Sequence, residues 1–374
     1  MKQMHLGCLF SGLTDRRKAK GKRYQMEPML CALLLAILSG ATSFRKMEAF
    51  LTIRLEELNA LFGVHWKAAP SWVGIRKFLL SIEIMELEAA LRHQGEKSAA
   101  QEQPQPGHYK VIAIDGKALR GSAQKVHDIR ARQLVSLFAQ EDLMILGHIE
   151  VSDKSNEIPA VQTLIEELNV TGCLLTLDAL HCQKKTLQIA LKQGAQVLVQ
   201  VKENQKALHL ACTLIPKYQT HEGRHVSNTE GHGRREQRTV SIYTAPLECW
   251  FDKEWQPLIK TVIRVEREVI HKRRGMQETS HETAWWVSTV KLSAEQFQHA
   301  IRGHWSIENQ NHYVRDTAFL EDACRSRTQP GILARLRSMA LNCLRINKVP
   351  SVTRAIYANA LSFKHAVAMA QGFN

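Results

Sequence analysis

The sequence lacks three features that would each assign it to a familiar class. Its eight cysteines stand singly, with no CxxC pair and no regular spacing, so reduced thiols are expected rather than a disulfide framework. No internal repeat is found. The apolar run at residues 29–38 begins too far from Met1 for an ordinary signal peptide and is much shorter than the roughly 20 residues of a membrane-spanning helix. We therefore expect a cytoplasmic protein with no membrane partner.

The chain carries an excess of basic residues. Its 374 residues, 44% of them hydrophobic, can bury a substantial core and form two or three structural units. Lys and Arg outnumber Asp and Glu by 50 to 36, and the formal charge of +14 predicts a positive surface field that suits a polyanion. Nucleic acid is the leading partner, and no small-molecule substrate is expected. A basic protein that binds anions only weakly is the alternative at this stage.

Hydrophobic periodicity and polar breaks divide the chain into five segments. Apolar residues recur at helical spacing near the N-terminus, and the polar segment that follows contains two prolines, as a linker does. Strand patterns then alternate with helices, a β-rich stretch follows, and helices return at Ser293. The predicted boundaries are 1–92 for an N-terminal helical domain, 93–108 for a linker, 109–204 for the first part of the main domain, 205–292 for a β-rich insertion, and 293–374 for the C-terminal helical part of the main domain.

The main domain shows a characteristic order of elements. Three strands close enough for an antiparallel meander are followed by alternating helices and strands. This order predicts an α/β fold with an RNase-H-like mixed sheet flanked by helices, although periodicity alone also allows other α/β folds. The predicted strands are Lys110–Asp115, Gln133–Ala139, Met144–Val151, Cys173–Asp178 and Gln196–Val201, with helices from Asn156 to Leu168 and from Gln183 to Gln193.

Two aspartates end strands of this sheet. Asp115 and Asp178 each close a short buried run, and an open α/β sheet exposes side chains to ligands at the carboxyl ends of its strands. Asp also ends strands because it favours turns, which is the better interpretation for either residue taken alone. Their repetition on two strands favours a shared role in holding divalent cations.

A third carboxylate, Glu308, lies in the segment IRGHWSIENQNHYVR. On a regular helix His304, Glu308, Asn311, His312 and Arg315 fall on one face, because side chains three and four apart are neighbours. Trp305, Ile307 and Tyr313 are then expected on the buried side. An ordinary solvated face and a zinc site at His304, Glu308 and His312 are the alternatives. Glu321 and Asp322 are alternative third carboxylates.

Three carboxylates suffice for a pair of Mg²⁺ or Mn²⁺ ions. Such ions prefer oxygen ligands, and two of them about 4 Å apart activate a nucleophile and stabilise the leaving oxygen at a phosphate. This chemistry needs Asp115, Asp178 and Glu308 to converge, despite the long sequence separation between the last two.

Several motifs in order resemble one known family, the H-repeat-associated transposases, a branch of the DDE transposases. The resemblance covers nearly the whole chain, and AIDGK and HWSIEN are its most specific parts. It implies that Asp115, Asp178 and Glu308 are catalytic, with a divalent cation pair on an RNase-H-like core. It also implies double-stranded DNA as partner, both terminal inverted repeats and target, and a nucleoid-associated homodimer on DNA, because two ends are cut together. The motifs are KVIAIDGKALRGS (110–122), KSNEIPA (154–160), TLDALHCQK (176–184), VKENQ (201–205), GHGRR (231–235) and RGHWSIEN (302–309).

Weaker candidates concern DNA contacts. Trp285 and Trp286 could stack on an unpaired base, but such a pair is more often core. Glu157 is expected to assist a helix start. The dense basic run at residues 16–23 is interpreted either as a set of phosphate contacts or as a solvated tail. The predicted DNA contacts are His304, Asn311, His312, Arg315, Lys202, Arg16, Arg17, Lys18, Lys20, Lys22 and Arg23.

The sequence predicts a transposase that cleaves and transfers strands at the ends of a mobile element. Two other functions stay open: a DNA-binding protein that has lost catalysis or been domesticated, and a structure-specific nuclease on the same fold. Inverted repeats flanking the gene would discriminate among them.

Overall fold

A computed structural model describes residues 9–99, 109–123, 130–151, 157–231, 233–244, 252–273 and 276–371. Asn156, Cys8, Cys249 and the predicted linker from residue 100 onward lie outside these ranges. The chain forms two compact units. The first comprises residues 1–103, 116–154 and 308–374, and the second comprises residues 104–115 and 155–307.

The first unit is largely helical. Helix α1 is buried along most of its length because it is almost wholly apolar, and it packs against the equally buried α11. The serines at positions 43 and 71 cap α2 and α4 by accepting hydrogen bonds from backbone N–H groups of the first turn. The helices are α1 (Met26–Leu38), α2 (Phe44–Ile53), α3 (Leu55–Phe62), α4 (Trp72–Leu79), α5 (Ile84–Ala99), α10 (Tyr313–Ala318), α11 (Pro330–Ile346), α12 (Val352–Leu361) and α13 (Phe363–Gln371).

The second unit contains the remaining helices and most of the strands. Helix α9 buries Phe297 and Ile301 in an apolar cluster with Leu198, Ile263 and Trp286. Ser293 and Gln296 form a capping box at its start. The helices of this unit are α6 (Glu157–Glu167), α7 (Lys184–Lys192), α8 (Lys206–Tyr218) and α9 (Ala294–His304).

Nine strands of the described residues form one mixed sheet in the order β3-β2-β1-β4-β5-β9-β8-β7-β6. Parallel pairing joins β1 to β4 and β4 to β5, whereas β2 and β3 pair antiparallel. This confirms the predicted mixed α/β fold. The strands are β1 (Lys110–Leu119), β2 (Arg132–Ala139), β3 (Met144–Val151), β4 (Cys173–Leu177), β5 (Gln196–Val201), β6 (Gly223–Gly231), β7 (Arg234–Thr244), β8 (Thr261–Arg273) and β9 (Met276–Ser288).

Three details differ from the sequence analysis. Helix α5 continues to Ala99, into the segment assigned to a linker, because the buried Gln94 hydrogen-bonds to Met339 and Asn342 of the C-terminal helices. The predicted β-rich insertion begins with helix α8 and not with a strand. Its last strand, β9, pairs antiparallel with β5, so the insertion extends the main sheet. The functional domain boundaries stay predictions.

The described cysteines are all free thiols, which agrees with the reduced state expected from their spacing. Among the described residues, no helix combines the length and the apolar character needed to cross a bilayer.

Candidate active site

Two acidic residues lie on or directly after neighbouring parallel strands. In the parallel pair β1–β4, Ile114 lies opposite Leu177 as the last registered pair, and Asp115 and Asp178 are the next residues of each chain segment. Adjacent strands lie about 4.8 Å apart, so the two backbones are neighbours at this point. Asp178 directly follows β4, as predicted. The predicted end of the first strand at Asp115 is wrong, because β1 continues with alternating burial to Leu119.

Asp178 is oriented by the turn that follows it. Its Oδ1 accepts a hydrogen bond from the backbone N–H of Leu180 at 3.1 Å. His181 is buried, and its Nε2 lies 3.1 Å from Glu157 Oε1 and 3.9 Å from Asp178 Oδ1. The Asp178 side chain stays 47% exposed, so it is accessible to a ligand. Glu157 also stands in the first turn of α6, where an acidic residue was expected.

The segment around Glu308 is not one regular helix. Helix α9 ends at His304, and a π-helical turn spans Ile307–His312 before α10 begins. A π turn holds more residues than an α turn, so the predicted common face is wrong. Ile307 is buried as expected, but Trp305 and Tyr313 are 53% and 64% exposed.

Burial also changes the roles of the polar residues near Glu308. Asn311, His312 and Arg315, predicted as DNA contacts, have buried side chains in this structure. Desolvation, together with smaller effects of the nearby Arg315 and Lys117 charges, lowers the pKa of His312 to about 3. A neutral, buried imidazole is unsuited to binding a phosphate.

His304 is likewise not a phosphate contact here. Its Nδ1 lies 3.0 Å from the hydroxyl of Thr176, and its ring meets Trp286 edge-on with centroids 6.2 Å apart. Desolvation, with a smaller effect from His181, lowers the pKa of His304 to about 4. The imidazole is therefore neutral at physiological pH and serves packing.

The structure distinguishes Glu308 from its rival Glu321. Glu308 is exposed and has no ion pair among the described residues. Glu321 is 3% exposed and lies 2.8 Å from Arg315, 3.7 Å from Arg337 and 3.8 Å from Lys117. Because three cations already surround Glu321, Glu308 is the better candidate for a metal ligand. The sequence analysis did not assign Lys117, although it lies in the AIDGK motif.

No three His, Cys, Asp or Glu side chains within the described part of the chain form a group that could hold a metal ion. Asp115 and Asp178 directly follow the last registered pair of β1 and β4, and the approach of Glu308 to them stays a prediction. The donor set fits a hard cation, because Mg²⁺ usually takes only one or two carboxylates, with water and substrate oxygens completing its shell.

The basic N-terminal run is partly neutralised. Arg16 pairs with Glu83 and Glu86, and Arg17 pairs with Asp15. The Lys22 ammonium donates to the backbone carbonyl of Asp15. These contacts hold the run against the helical first unit.

A cavity of about 370 Å³ lies beside this run. Lys20 and Arg23 line it and are exposed. Lys77 of α4 also lines it and is exposed, and the sequence analysis missed it because it lies far from the basic run in sequence. Lys18 is exposed outside it. We call Lys18, Lys20, Arg23 and Lys77 the basic patch.

Two other predicted contacts lie in the second unit. Trp285 and Trp286 are 7% and 3% exposed, so they belong to the core and do not form a stacking platform. Lys202 is exposed just after β5 and is accessible to a phosphate.

Asp115 and Asp178 directly follow the last registered pair of two parallel strands, and carboxylates in such a position can hold a divalent cation. Comparison with known proteins identifies the family. The family model described as "Transposase DDE domain" matches residues 106–343, and a second model, "DDE_Tnp_1-associated", matches residues 8–93. The chain therefore belongs to the DDE transposase family, and it is a DNA-processing enzyme that works with divalent metal ions.

Curated relatives support the same assignment. The chain is 30% identical over 342 residues to "Putative transposase YncI" of Escherichia coli O157:H7, covering 90% of this chain and 86% of that protein. It is 29% identical over 346 residues to "H repeat-associated putative transposase YhhI" of Escherichia coli K12, covering 90% and 89%. A piggyBac transposase synaptic complex with hairpin DNA superposes with a TM-score of 0.44 at 9% identity, over 95% of this chain and 75% of that one.

Proposed function

We propose that this transposase cuts and rejoins DNA at the ends of a mobile element through Asp115, Asp178 and Glu308. The register of β1 and β4 is the observation that carries the proposal, because Asp115 and Asp178 directly follow its last registered pair on adjacent backbones. Glu308 supplies the third, since it is exposed and free of the cations that surround Glu321. The family resemblance assigns the same three residues.

The residues divide the work of phosphodiester cleavage. Asp115, Asp178 and Glu308 would hold a pair of Mg²⁺ or Mn²⁺ ions, which when bound activate the attacking hydroxyl and stabilise the leaving 3′ oxygen. The Leu180 N–H holds Asp178 Oδ1, which leaves the other carboxylate oxygen for a ligand. In the joining step a 3′-hydroxyl of the cut end replaces water as nucleophile and attacks a target phosphate. The new phosphodiester forms as the target strand's own bond to that phosphate breaks, and the target's 3′ oxygen leaves and takes up a proton.

DNA binding is expected to rest on exposed cations. The basic patch and Lys202 are accessible, and each phosphate they contact releases counterions. We assign the N-terminal segment 1–92 as a DNA-binding accessory region because it carries the patch. Two element ends must be cut together, which favours a homodimer on DNA.

A cleavage and joining assay tests the function. A duplex carrying the element's terminal inverted repeat is incubated with the protein and Mg²⁺, together with a supercoiled target plasmid. We expect nicks at the repeat end and covalent joining of the released 3′ end to the target. Cutting without joining would identify a structure-specific nuclease, and binding without cutting would identify a DNA-binding protein without catalysis.

A further inference from the structure

Lys117 lies at the centre of a buried ionic cluster in the first unit. It follows Asp115 by two residues on β1, and its side chain is only 7% exposed. Its ammonium lies 2.7 Å from Asp316 Oδ1 and 2.9 Å from Asp322 Oδ1. Glu321 Oε2 is 3.8 Å away. One ammonium thus faces three carboxylates.

The carboxylates belong to the segment that continues from Glu308. Asp316 is in α10, which starts directly after the π-helical turn containing Glu308. Glu321 and Asp322 lie in the turn after α10, and the Glu321 backbone N–H donates to the carbonyl of Arg315. Lys117 therefore ties the strand that continues from Asp115 to the chain that continues from Glu308.

The cluster has a second layer of charges. Arg315 is fully buried and donates to Glu321 at 2.8 Å, and Arg337 of α11 lies 3.7 Å from the same oxygen. Three buried cations thus face three carboxylates, and the 79% exposed Arg120 lies 3.5 Å from Asp322 Oδ2, so the carboxylates of this ionic group are compensated. Removing one member leaves uncompensated buried charge.

The backbone of this turn is held tightly. Leu320 adopts φ of 48°, in the left-handed region that non-glycine residues rarely occupy. At Gly121 a Cβ atom would overlap the carbonyl oxygen of Cys324, so the chain after β1 touches the turn directly. A strained turn and a close backbone approach persist only where surrounding contacts impose them.

We propose that Lys117 is a positioning residue for the transposase reaction: its ion pairs to Asp316 and Asp322 fix the Glu308 segment relative to the strand bearing Asp115. The proposal rests on the proposed function, because Glu308 must be a metal ligand for its position to matter. Lys117 touches neither substrate nor metal. It acts through the placement of Glu308.

The test compares Lys117→Met with Asp316→Asn and Asp322→Asn. The two aspartate side chains are 31% and 25% exposed, so these variants are expected to fold. The double variant Lys117→Met/Asp316→Asn removes a cation and an anion together and limits the charge imbalance. The control is Arg335→Met, which breaks a separate buried ionic group with Glu88 and Glu150 in the same unit.

Three quantities are measured on each folded variant: DNA affinity, the single-turnover cleavage rate, and the Mg²⁺ and Mn²⁺ concentrations that give half-maximal rate. A displaced carboxylate ligand costs about a hundredfold in rate when it moves by about 1 Å. We expect that loss for Lys117→Met and the double variant, with a raised metal requirement and unchanged DNA affinity. The aspartate variants should show smaller shifts in the same direction. Arg335→Met should keep the wild-type metal requirement.

Wild-type rate and metal requirement in folded Asp316→Asn and Asp322→Asn would overturn the proposal, as would equal behaviour of Lys117→Met and the control. If Lys117→Met fails to fold, the aspartate variants alone decide. Glu308→Gln separates the two hypotheses. If it cuts normally, the proposed function fails; if it is inactive while the cluster variants cut normally, only the positioning role fails.

Discussion

The two compact units differ in what fills their interiors. In the second unit the cluster around Leu198, Ile263 and Trp286 is apolar, and strand register places the acidic residues Asp115 and Asp178. In the first unit, buried carboxylates pair with buried guanidinium and ammonium groups. There, Arg335 donates to Glu88 at 2.6 Å and to Glu150 at 3.1 Å.

This difference shows two ways of placing a functional carboxylate. A sheet places it by backbone pairing, which tolerates many apolar side chains as long as the pattern is kept. An irregular helical segment such as the one at Glu308 has no backbone pairing with a neighbouring strand to fix its position. Directional ion pairs between side chains fix it instead, and they tolerate few substitutions.

The largest expected effect concerns the carboxylates. Asp115→Asn, Asp178→Asn and Glu308→Gln should each reduce cleavage about a thousandfold, because an amide no longer holds the metal ions that contribute about 4 kcal/mol. DNA affinity should stay the same or rise slightly, since a negative charge near phosphate is lost. Cleavage and gel-shift assays on one oligonucleotide separate the effects. Any variant that cuts at the wild-type rate removes its residue from the active site.

A loss of unfolding free energy in the ionic interior should be recoverable by a second substitution, whereas a loss in the apolar interior should not. Arg335→Met should lower the free energy of unfolding by up to about 3–5 kcal/mol, because the buried Glu88 loses one of its two arginine partners and keeps only Arg92. Adding Glu88→Gln should recover much of the loss. Leu198→Ala in the other unit should cost about 2–5 kcal/mol through a cavity, which no charge change repairs. Urea unfolding measures all three, and no recovery in the double variant would contradict the ionic account.

Glu236 should make the stability of the second unit depend on pH in the acidic range. Burial raises its pKa, but hydrogen bonds and charges of Arg267, Arg238 and Arg234 outweigh burial and hold the pKa at about 2, below the ordinary value of 4.5. Because the folded-state pKa is lowered, the stabilisation is complete above pH 4.5 and is lost as the pH falls towards 2.

Glu236→Gln should therefore destabilise the protein by roughly 2 kcal/mol at neutral pH and by almost nothing near pH 2. Urea midpoints of both proteins across this range provide the measurement. The control is Glu282→Gln, which removes a 66% exposed carboxylate from the same arginine, Arg267. An equal, pH-independent effect of both substitutions would exclude the explanation.

The smallest effect concerns single cations of the first unit. Arg23→Ala and Lys77→Ala should each reduce the slope of log affinity against log salt by about 0.9, the value for one phosphate contact. Arg16→Ala is the matched control, because Glu83 and Glu86 already neutralise Arg16. If all three slopes equal the wild-type slope, the basic patch is not the DNA contact.

The elements with a regular sequence pattern were the part of the fold that could be predicted. The strands at Asp115 and Asp178 followed from short buried runs, and the β-rich region from alternation. The extension of the main sheet by β9 could not be predicted, because pairing with β5 depends on contacts remote in sequence. The linker prediction overlapped the end of α5, since the hydrogen bonds that bury Gln94 join it to residues remote in sequence.

The sequence by itself determined the family, the basic character and the two strands associated with Asp115 and Asp178, because motif order, charge and short buried runs are local properties of the chain. Only the tertiary structure decided which polar residues near Glu308 are buried. Arg315 had the composition of a phosphate ligand, yet it is fully buried against Glu321. Burial and ion pairing depend on which distant segments meet. For that reason the role of Lys117 could not be inferred from its position in the AIDGK motif.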